Sequence, residues 1–369
     1  MVTASVYKER IERLQELLSE REIDGVAIID LENYFYFTGD TRKQPRLYVP
    51  KSGEPLLLVF RGEEEEARRE SWIRDIRTYG SMHEMMTGVI SWIQEHNIKT
   101  IGFDFEFALP AFLLERFKLA NPTLKVVDAK DAFMELRMIK SREEVDLMKR
   151  AAEIAAEGME VAKGALKEGA VEFEVAGEVE YAMRGRGAER FAFPTFINSG
   201  YRSHWLHGLA TRKGIEKGDL VLVDVGPVYM GYCANMTRMF VVGDPNDDQR
   251  KLIDLYIKAR QAAVDAARPG TMLTELDNVA QRVITQAGFG EYYVRGIAHG
   301  VGLSFEEKPF PTIFPEDNVV ELKQNMTISI GHPILSLPSI GGARVEDGFL
   351  ITREGARRLV EYPEELMVV

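Results

Sequence analysis

The sequence predicts an α/β domain over residues 1–135 followed by an α+β domain over residues 141–369. Three observations carry this. Ahead of residue 130, short apolar runs of strand length alternate with helical stretches. At the junction, Ser141 is followed three residues later by Glu144, a capping-box signature that starts a new helix. Beyond residue 218 the rhythm changes to one buried strand, two helices and a strand-rich end broken by Gly and Pro.

Residues 6–22 read as an amphipathic helix with Ile11, Leu14, Leu17 and Leu18 on one face. GVAIID at 25–30, LLLVF at 56–60, TIGFDF at 100–105 and LKVVDA at 124–129 are apolar runs of strand length. Helical stretches lie between them, at 62–70 and 83–96, and together they predict a mixed sheet. The run GEEEEARRE at 62–70 is a solvated helix face laced with Glu–Arg pairs. From Ser141 a helix continues through Ala-rich sequence to about Lys163, and a second covers 171–185. DLVLVDV at 219–225 is a buried strand that sets Asp224 near its end. Helices follow at about 248–267 and 273–287, separated by Pro269-Gly270.

A chain of 369 residues, 45% hydrophobic, is long enough for two domains with separate cores. No run reaches the ~18 apolar residues of a membrane span. The opening MVTASVYKERIERL turns polar too soon for a secretory signal. The one cysteine, Cys233, excludes an internal disulfide and suits a cytoplasmic location. A net charge of −12 argues against nucleic acid and anionic membrane as partners.

Three ordered blocks carry the functional signal. VDVGPVYMGYCANMTR at 223–238 presents Asp224, Gly226, Gly231, Tyr232, Asn235, Thr237 and Arg238. AHGVGLSFEEKPF at 298–310 presents His299, Gly300, Gly302, Glu306 and Glu307. NMTISIGHPILSLPSIGGARVEDGFLIT at 325–352 presents His332, Arg344, Glu346 and Asp347. These blocks resemble the creatinase/prolidase/aminopeptidase P/methionine aminopeptidase family, and NYFYFTG at 33–39 with LRMIKSREEVDLMKRA at 136–151 resembles its leading domain. The resemblance implies a creatinase-like α/β domain followed by a pita-bread catalytic domain.

A complete site of this family holds two divalent cations on four carboxylates and one His, and such a pair lowers the pKa of a bridging water. The five positions here read Asp224, Asn235, His299, Gly331 or His332, and Glu346, so two carboxylates remain. An amide oxygen is neutral and does not bridge two metals as a carboxylate does. The expectation is therefore no cofactor, or one divalent metal at reduced affinity, on an incomplete set of Asp224, Asn235, His299, His332 and Glu346. Two readings of His332 stay open. Facing inward, it joins His299 and Glu346 as a two-His, one-carboxylate set that suits zinc or iron. In the plainer reading, which is preferred, it hydrogen-bonds at a strand end, since a one-residue slip turns a strand side chain to the other face.

The family also contains a metal-free precedent, creatinase, which uses a His as proton shuttle. The matching position is His207 in SHWLHGLATRKG. Its ordinary pKa suits proton transfer near neutrality. The resemblance places Asp224, Glu306 and Glu346 with it as the catalytic set, and His299, Glu307, Arg344 and His204 on the substrate. Glu306 stands where the family has a second His, and Thr237 keeps the peptidase form, so creatine itself is not implied, and neither is proline specificity, because the His that helps bind the peptidase substrate is gone. Cys233 reads as a small core residue, and His83 and His96 as outside the site.

The leading expectation is a hydrolase acting on an amide, guanidino or peptide C–N bond of a small-molecule or short-peptide substrate, without the full two-metal site. The alternatives are an Xaa-Pro aminopeptidase or dipeptidase with one residual metal, and a non-catalytic binding protein on a peptidase scaffold. Family members with a leading domain commonly pair, so a homodimer is expected.

Overall fold

The leading unit, Met1–Arg137, opens with helix α1 (Ala4–Glu20), whose Ile11, Leu14 and Leu18 are buried. Strands β1 (Gly25–Ile28), β2 (Leu47–Pro50), β3 (Leu56–Phe60), β4 (Asp75–Tyr79), β5 (Thr100–Phe103) and β6 (Lys125–Asp128) follow. Helices α2 (Leu31–Thr38), α3 (Glu64–Glu70), α4 (Met82–Glu95), α5 (Ala111–Ala120) and α6 (Lys130–Met138) connect and close them. The structure is a computed structural model that describes residues 4–42, 46–106 and 109–369. Among the described residues the strands order as β4-β3-β2-β1-β5-β6. β2 is antiparallel to β1 and β3, and the other neighbours are parallel, which makes the sheet mixed. Val89 and Trp92 of α4 pack with Ala27, Tyr48, Leu58 and Ile101 of the sheet.

Sequence patterning missed several of these elements. Helix α2 is short, and its ends are fixed locally: Asp30 accepts a hydrogen bond from Asn33 N, and Gly39 leaves the helix at φ 72°. Strand β4 is an edge strand, so Asp75 and Arg77 sit on it, paired to each other at 2.8 Å, and they hide the apolar signal. The stretch expected as one helix at 62–70 is a 3₁₀ turn, Arg61–Glu63, followed by α3.

The second unit, Met138–Val369, begins with α7 (Arg142–Ala165). Its capping box closes both ways, Glu144 N donating to Ser141 Oγ at 3.3 Å and Ser141 N to Glu144 Oε2 at 2.8 Å. Helix α8 (Glu172–Gly185) packs along α7. The strands are β7 (Arg190–Phe191), β8 (Phe196–Ser199), β9 (Leu220–Val225), β10 (Pro227–Tyr229), β11 (Tyr232–Cys233) and β12 (Met236–Val241), then β13 (Ala298–Gly300), β14 (Thr327–Ile330), β15 (Leu335–Leu337), β16 (Gly341–Ala343), β17 (Asp347–Thr352), β18 (Gly355–Arg358) and β19 (Met367–Val368). Helices α9 (Asp247–Ala266) and α10 (Leu273–Gln286) lie between β12 and β13.

Two four-stranded sheets, β19-β12-β9-β8 and β13-β14-β17-β18, carry the site. One core joins them to the helices: Leu222 and Met239, Ile253 and Tyr256 of α9, Leu276 and Ala280 of α10, and Ile328, Ile330 and Phe349. Each fully buried aliphatic of this kind contributes ~1.5–3 kcal/mol relative to exposure. Among the described residues no helix is long and apolar enough to cross a membrane.

Candidate active site

Backbone pairing brings the three sequence blocks together. Asp224 near the end of β9 faces Thr237 on β12, while His299 on β13 faces Ser329 on β14. Glu346, one residue before β17, exchanges backbone hydrogen bonds with Thr237 at 3.1 and 3.2 Å, so the segment before β17 is tied to β12. Arg238 holds this crossing from behind. It donates to the Glu346 carbonyl at 3.0 Å and to Asp347 Oδ1 at 2.7 Å, and Arg260 donates to the other oxygen of Asp347.

Glu346 is the hub. Its Oε1 accepts from Ser329 Oγ at 2.8 Å and Asn235 Nδ2 at 2.9 Å, and lies 3.2 Å from His299 Nε2. Its Oε2 accepts from Arg344 Nη2 at 2.6 Å. Arg344 Nη1 donates to Asp224 Oδ2 at 2.9 Å, so one guanidinium spans two buried carboxylates. Asn235 is thus a donor to Glu346, and its Oδ1 is buried without a hydrogen-bond partner among the described residues. Asp224 Oδ1 likewise accepts no well-formed hydrogen bond, although the Thr237 hydroxyl favours its ionised form.

His332 turns inward, which corrects the preferred expectation that it only ends a strand. Its Nε2 lies 3.4 Å from Glu306 Oε1, and its Nδ1 accepts from Arg344 Nη2 at 3.1 Å. The reason lies at Gly331, where φ is 121° and an added Cβ would fall 1.9 Å from the Val345 carbonyl oxygen. Of the two candidate positions, Gly331 therefore cannot carry the ligand side chain and His332 can be the residue that enters. The Tyr256 hydroxyl lies 2.5 Å from the Gly331 carbonyl oxygen and 2.6 Å from that of Pro333, pinning the turn on both sides.

The charges shift one another. Burial pushes Asp224 up to about 6 against the pull of Arg344. Burial would raise Glu346 too, but Arg344 and the two imidazoles outweigh it and hold it well below the usual carboxylate range. For His299, burial lowers the pKa, but the Glu346 carboxylate overcomes this and the net shift is upward. Burial takes His332 down to about 4, and burial raises Glu306.

The remaining sequence-derived residues fall in different places. His207 is partly exposed, and its pKa is lowered by burial and then by the nearby Arg344 charge. His204 Nδ1 sits 2.6 Å from Ser336 Oγ on β15 and makes no contact with the carboxylate–imidazole cluster among the described residues. Glu307 and Arg344, expected on the substrate, are instead spent on protein contacts. Glu307 forms a 2.8 Å ion pair with Lys140 in which both side chains are 2% exposed, and Arg344 binds Asp224 and Glu346. Ser329 and Tyr256 were not anticipated. Ser329 was legible in TISIGH, where a period of two puts it on the inward face of the strand. Tyr256 acts across 75 residues, beyond any local pattern.

Among the described residues, His299, Glu306 and His332 form the group whose ligand atoms all lie within 4.8 Å of one another. This set differs from the expected one, because Glu306 replaces Glu346 as the carboxylate.

Comparison with known proteins agrees with this architecture. Residues 146–353 match the model of metallopeptidase family M24, and residues 10–139 that of the creatinase/prolidase N-terminal domain. The chain is 37% identical over 362 residues to an Xaa-Pro dipeptidase of Pyrococcus furiosus, covering 98% of this chain and 100% of the relative. A crystal structure of a prolidase from Pyrococcus horikoshii superposes with a TM-score of 0.88 at 34% identity, covering 97% of this chain and 100% of the other. An Xaa-Pro dipeptidase from Bacillus anthracis superposes with a TM-score of 0.90 at 28% identity, covering 98% of this chain and 100% of the other.

Proposed function

Given that the chain belongs to metallopeptidase family M24, with a creatinase/prolidase N-terminal domain ahead of a pita-bread domain, we propose that it hydrolyses the amide bond of short peptides, Xaa-Pro dipeptides foremost. The observation that carries this reading is a pair of buried open acceptors, Asp224 Oδ1 and Asn235 Oδ1, in a cluster with three carboxylates and one guanidinium. The surplus of carboxylate suits a cation, and the open oxygens suit N–H donors. A peptide's terminal ammonium supplies both.

In this reading His207 serves proton transfer. His207, lowered by burial and Arg344, is neutral near pH 7 and can accept a proton. Asp224, fixed by Arg344, orients the ammonium.

The two-cation centre of the family does not match these residues. Asn235 donates to Glu346 instead of offering a second bridging carboxylate, His332 replaces a carboxylate, and Arg344 already bridges Asp224 and Glu346. No step is assigned to such a pair.

Purified protein is assayed for release of proline from Ala-Pro and Met-Pro, with Ala-Ala and creatine as comparisons. Turnover of the prolyl dipeptides above the comparisons supports the reading. Turnover of creatine alone moves the substrate class to guanidines, and turnover of none favours a binding protein. A homodimer accompanies the proposal, tested by light scattering against the 41.8 kDa chain mass.

A further inference from the structure

We infer that His299, Glu306 and His332 bind one divalent cation of the zinc or ferrous class, and that the Arg344 guanidinium supplies the second positive charge of the cluster. This cation site belongs to the cluster proposed above for peptide hydrolysis, and its occupancy is read independently of turnover.

The donors converge. Ligand atoms of His299, Glu306 and His332 all lie within 4.8 Å of one another. The His299 ring approaches the His332 ring to 4.8 Å between centroids, at 84°. Each imidazole is also oriented from behind. His299 Nδ1 is 2.9 Å from the Gly300 carbonyl oxygen, which can only accept, so Nδ1 carries a proton and Nε2, 3.2 Å from Glu346 Oε1, is the nitrogen a cation would take in exchange for a proton. His332 Nδ1 lies 3.1 Å from Arg344 Nη2 and 3.6 Å from Glu346 Oε1, and a cation on Nε2, which faces Glu306, requires the ring proton on Nδ1, turned to Glu346 in place of the Arg344 contact. A backbone carbonyl behind a ligand imidazole, as at His299, is a usual outer support of a metal site. Glu306 is the partly exposed member, at 17% of its side chain.

The same contacts limit the count to one. Glu346 Oε1 already receives Ser329 and Asn235 and faces His299, and Oε2 receives Arg344. Asp224 Oδ2 receives Arg344 as well. A second divalent ion beside these carboxylates would have to displace a buried guanidinium or sit against it, and like charges at such distances in a poorly solvated site repel strongly. Two imidazoles and one carboxylate with open positions suit zinc or ferrous iron, whereas the carboxylate-rich family set suits harder ions.

The full-length chain is stripped with chelator, dialysed and titrated with Co(II), with zinc content measured by elemental analysis after gel filtration. One zinc per chain is expected, with a Co(II) absorption spectrum of mixed nitrogen and oxygen ligation. His332→Gln and Glu306→Gln, each checked for native circular dichroism, should weaken Co(II) binding by at least ~100-fold. Asp224→Asn should leave it within a few-fold. Two zinc ions per chain, no Co(II) binding, or binding that depends on Asp224 and not on His332 and Glu306, would overturn the site. Zinc bound at one per chain without dipeptide turnover retains the cation site and removes the peptidase reading.

Discussion

Asn235 donates its side-chain amide to Glu346 Oε1 at 2.9 Å, at the position where the family pattern has a second carboxylate. A carboxylate there would face Glu346 in a site from which water is largely excluded, with Arg344 as the nearest compensating charge. Asn235→Asp therefore exchanges a hydrogen bond to a charged group for a repulsion. In chelator, the variant should be less stable by about 1.5–3 kcal/mol in urea melts. Excess Co(II) or Mn(II) should restore it, and bound metal per chain should rise more than turnover does. A variant with wild-type stability and metal content would contradict this account of Asn235.

Lys140 and Glu307 form a buried pair at 2.8 Å, within the second unit, and Glu307 also lies against Gly302, where an added Cβ would meet its Oε1 at 2.3 Å. Glu307 is thus a structural support for the segment that carries Glu306. Lys140→Met alone removes the ammonium paired at 2.8 Å with a buried carboxylate and should cost about 3–5 kcal/mol. Lys140→Met combined with Glu307→Gln should recover a large part of that loss. Thermal unfolding of the three variants checks this, and equal losses in single and double variants would count against it.

Asp30 predicts a pH dependence in the leading unit. Burial pushes its carboxyl up to about 6, against the hydrogen bond that it accepts from Asn33 N. The unfolded value is near 3.8, so between these values the folded state binds more protons than the unfolded one. Stability must then fall as pH rises from about 4 to about 6 and flatten above. The shift corresponds to about 3 kcal/mol, from which a lost acceptor for Asn33 Nδ2 removes about 1 in Asp30→Asn. The variant should be more stable than wild type by about 2 kcal/mol at pH 7, with no advantage near pH 4. Urea melts followed by the fluorescence of buried Trp92 would show the reverse trend if Asp30 gained from being ionised.

The blocks around Asp224, His299 and Glu346 were legible because their spacing reflects backbone register: each ligand position sits on or beside a strand that must pair with the next. What each side chain does was less legible. Gly331 and His332 could not be ranked from sequence, because the deciding contact is the Val345 carbonyl oxygen across the sheet. Arg344 read as a substrate-binding residue because nothing local shows that two carboxylates, 120 residues and two residues away, engage its two Nη groups. Glu306 and Glu307 are adjacent and chemically alike, yet one faces His332 and the other Lys140, a strand-like alternation that sequence pattern does not date to one face or the other.

His207 remains the residue on which the proton-transfer reading stands or falls. It is partly exposed, so its removal should not disturb the core. Its pKa is lowered by burial and by the Arg344 charge, so it is neutral at pH 7 and becomes charged only as pH falls below its ordinary value. A base of this kind gives an acid limb: turnover falls as pH drops through the lowered pKa, because the protonated ring can no longer accept. His207→Ala should reduce kcat on the prolyl dipeptide by about 10²–10⁴-fold, a typical general acid–base contribution. The acid limb due to His207 should vanish with it, while Co(II) binding at His299, Glu306 and His332 stays as in wild type. A purely structural role would leave the shape of the pH profile unchanged, and full turnover in the variant would remove His207 from proton transfer.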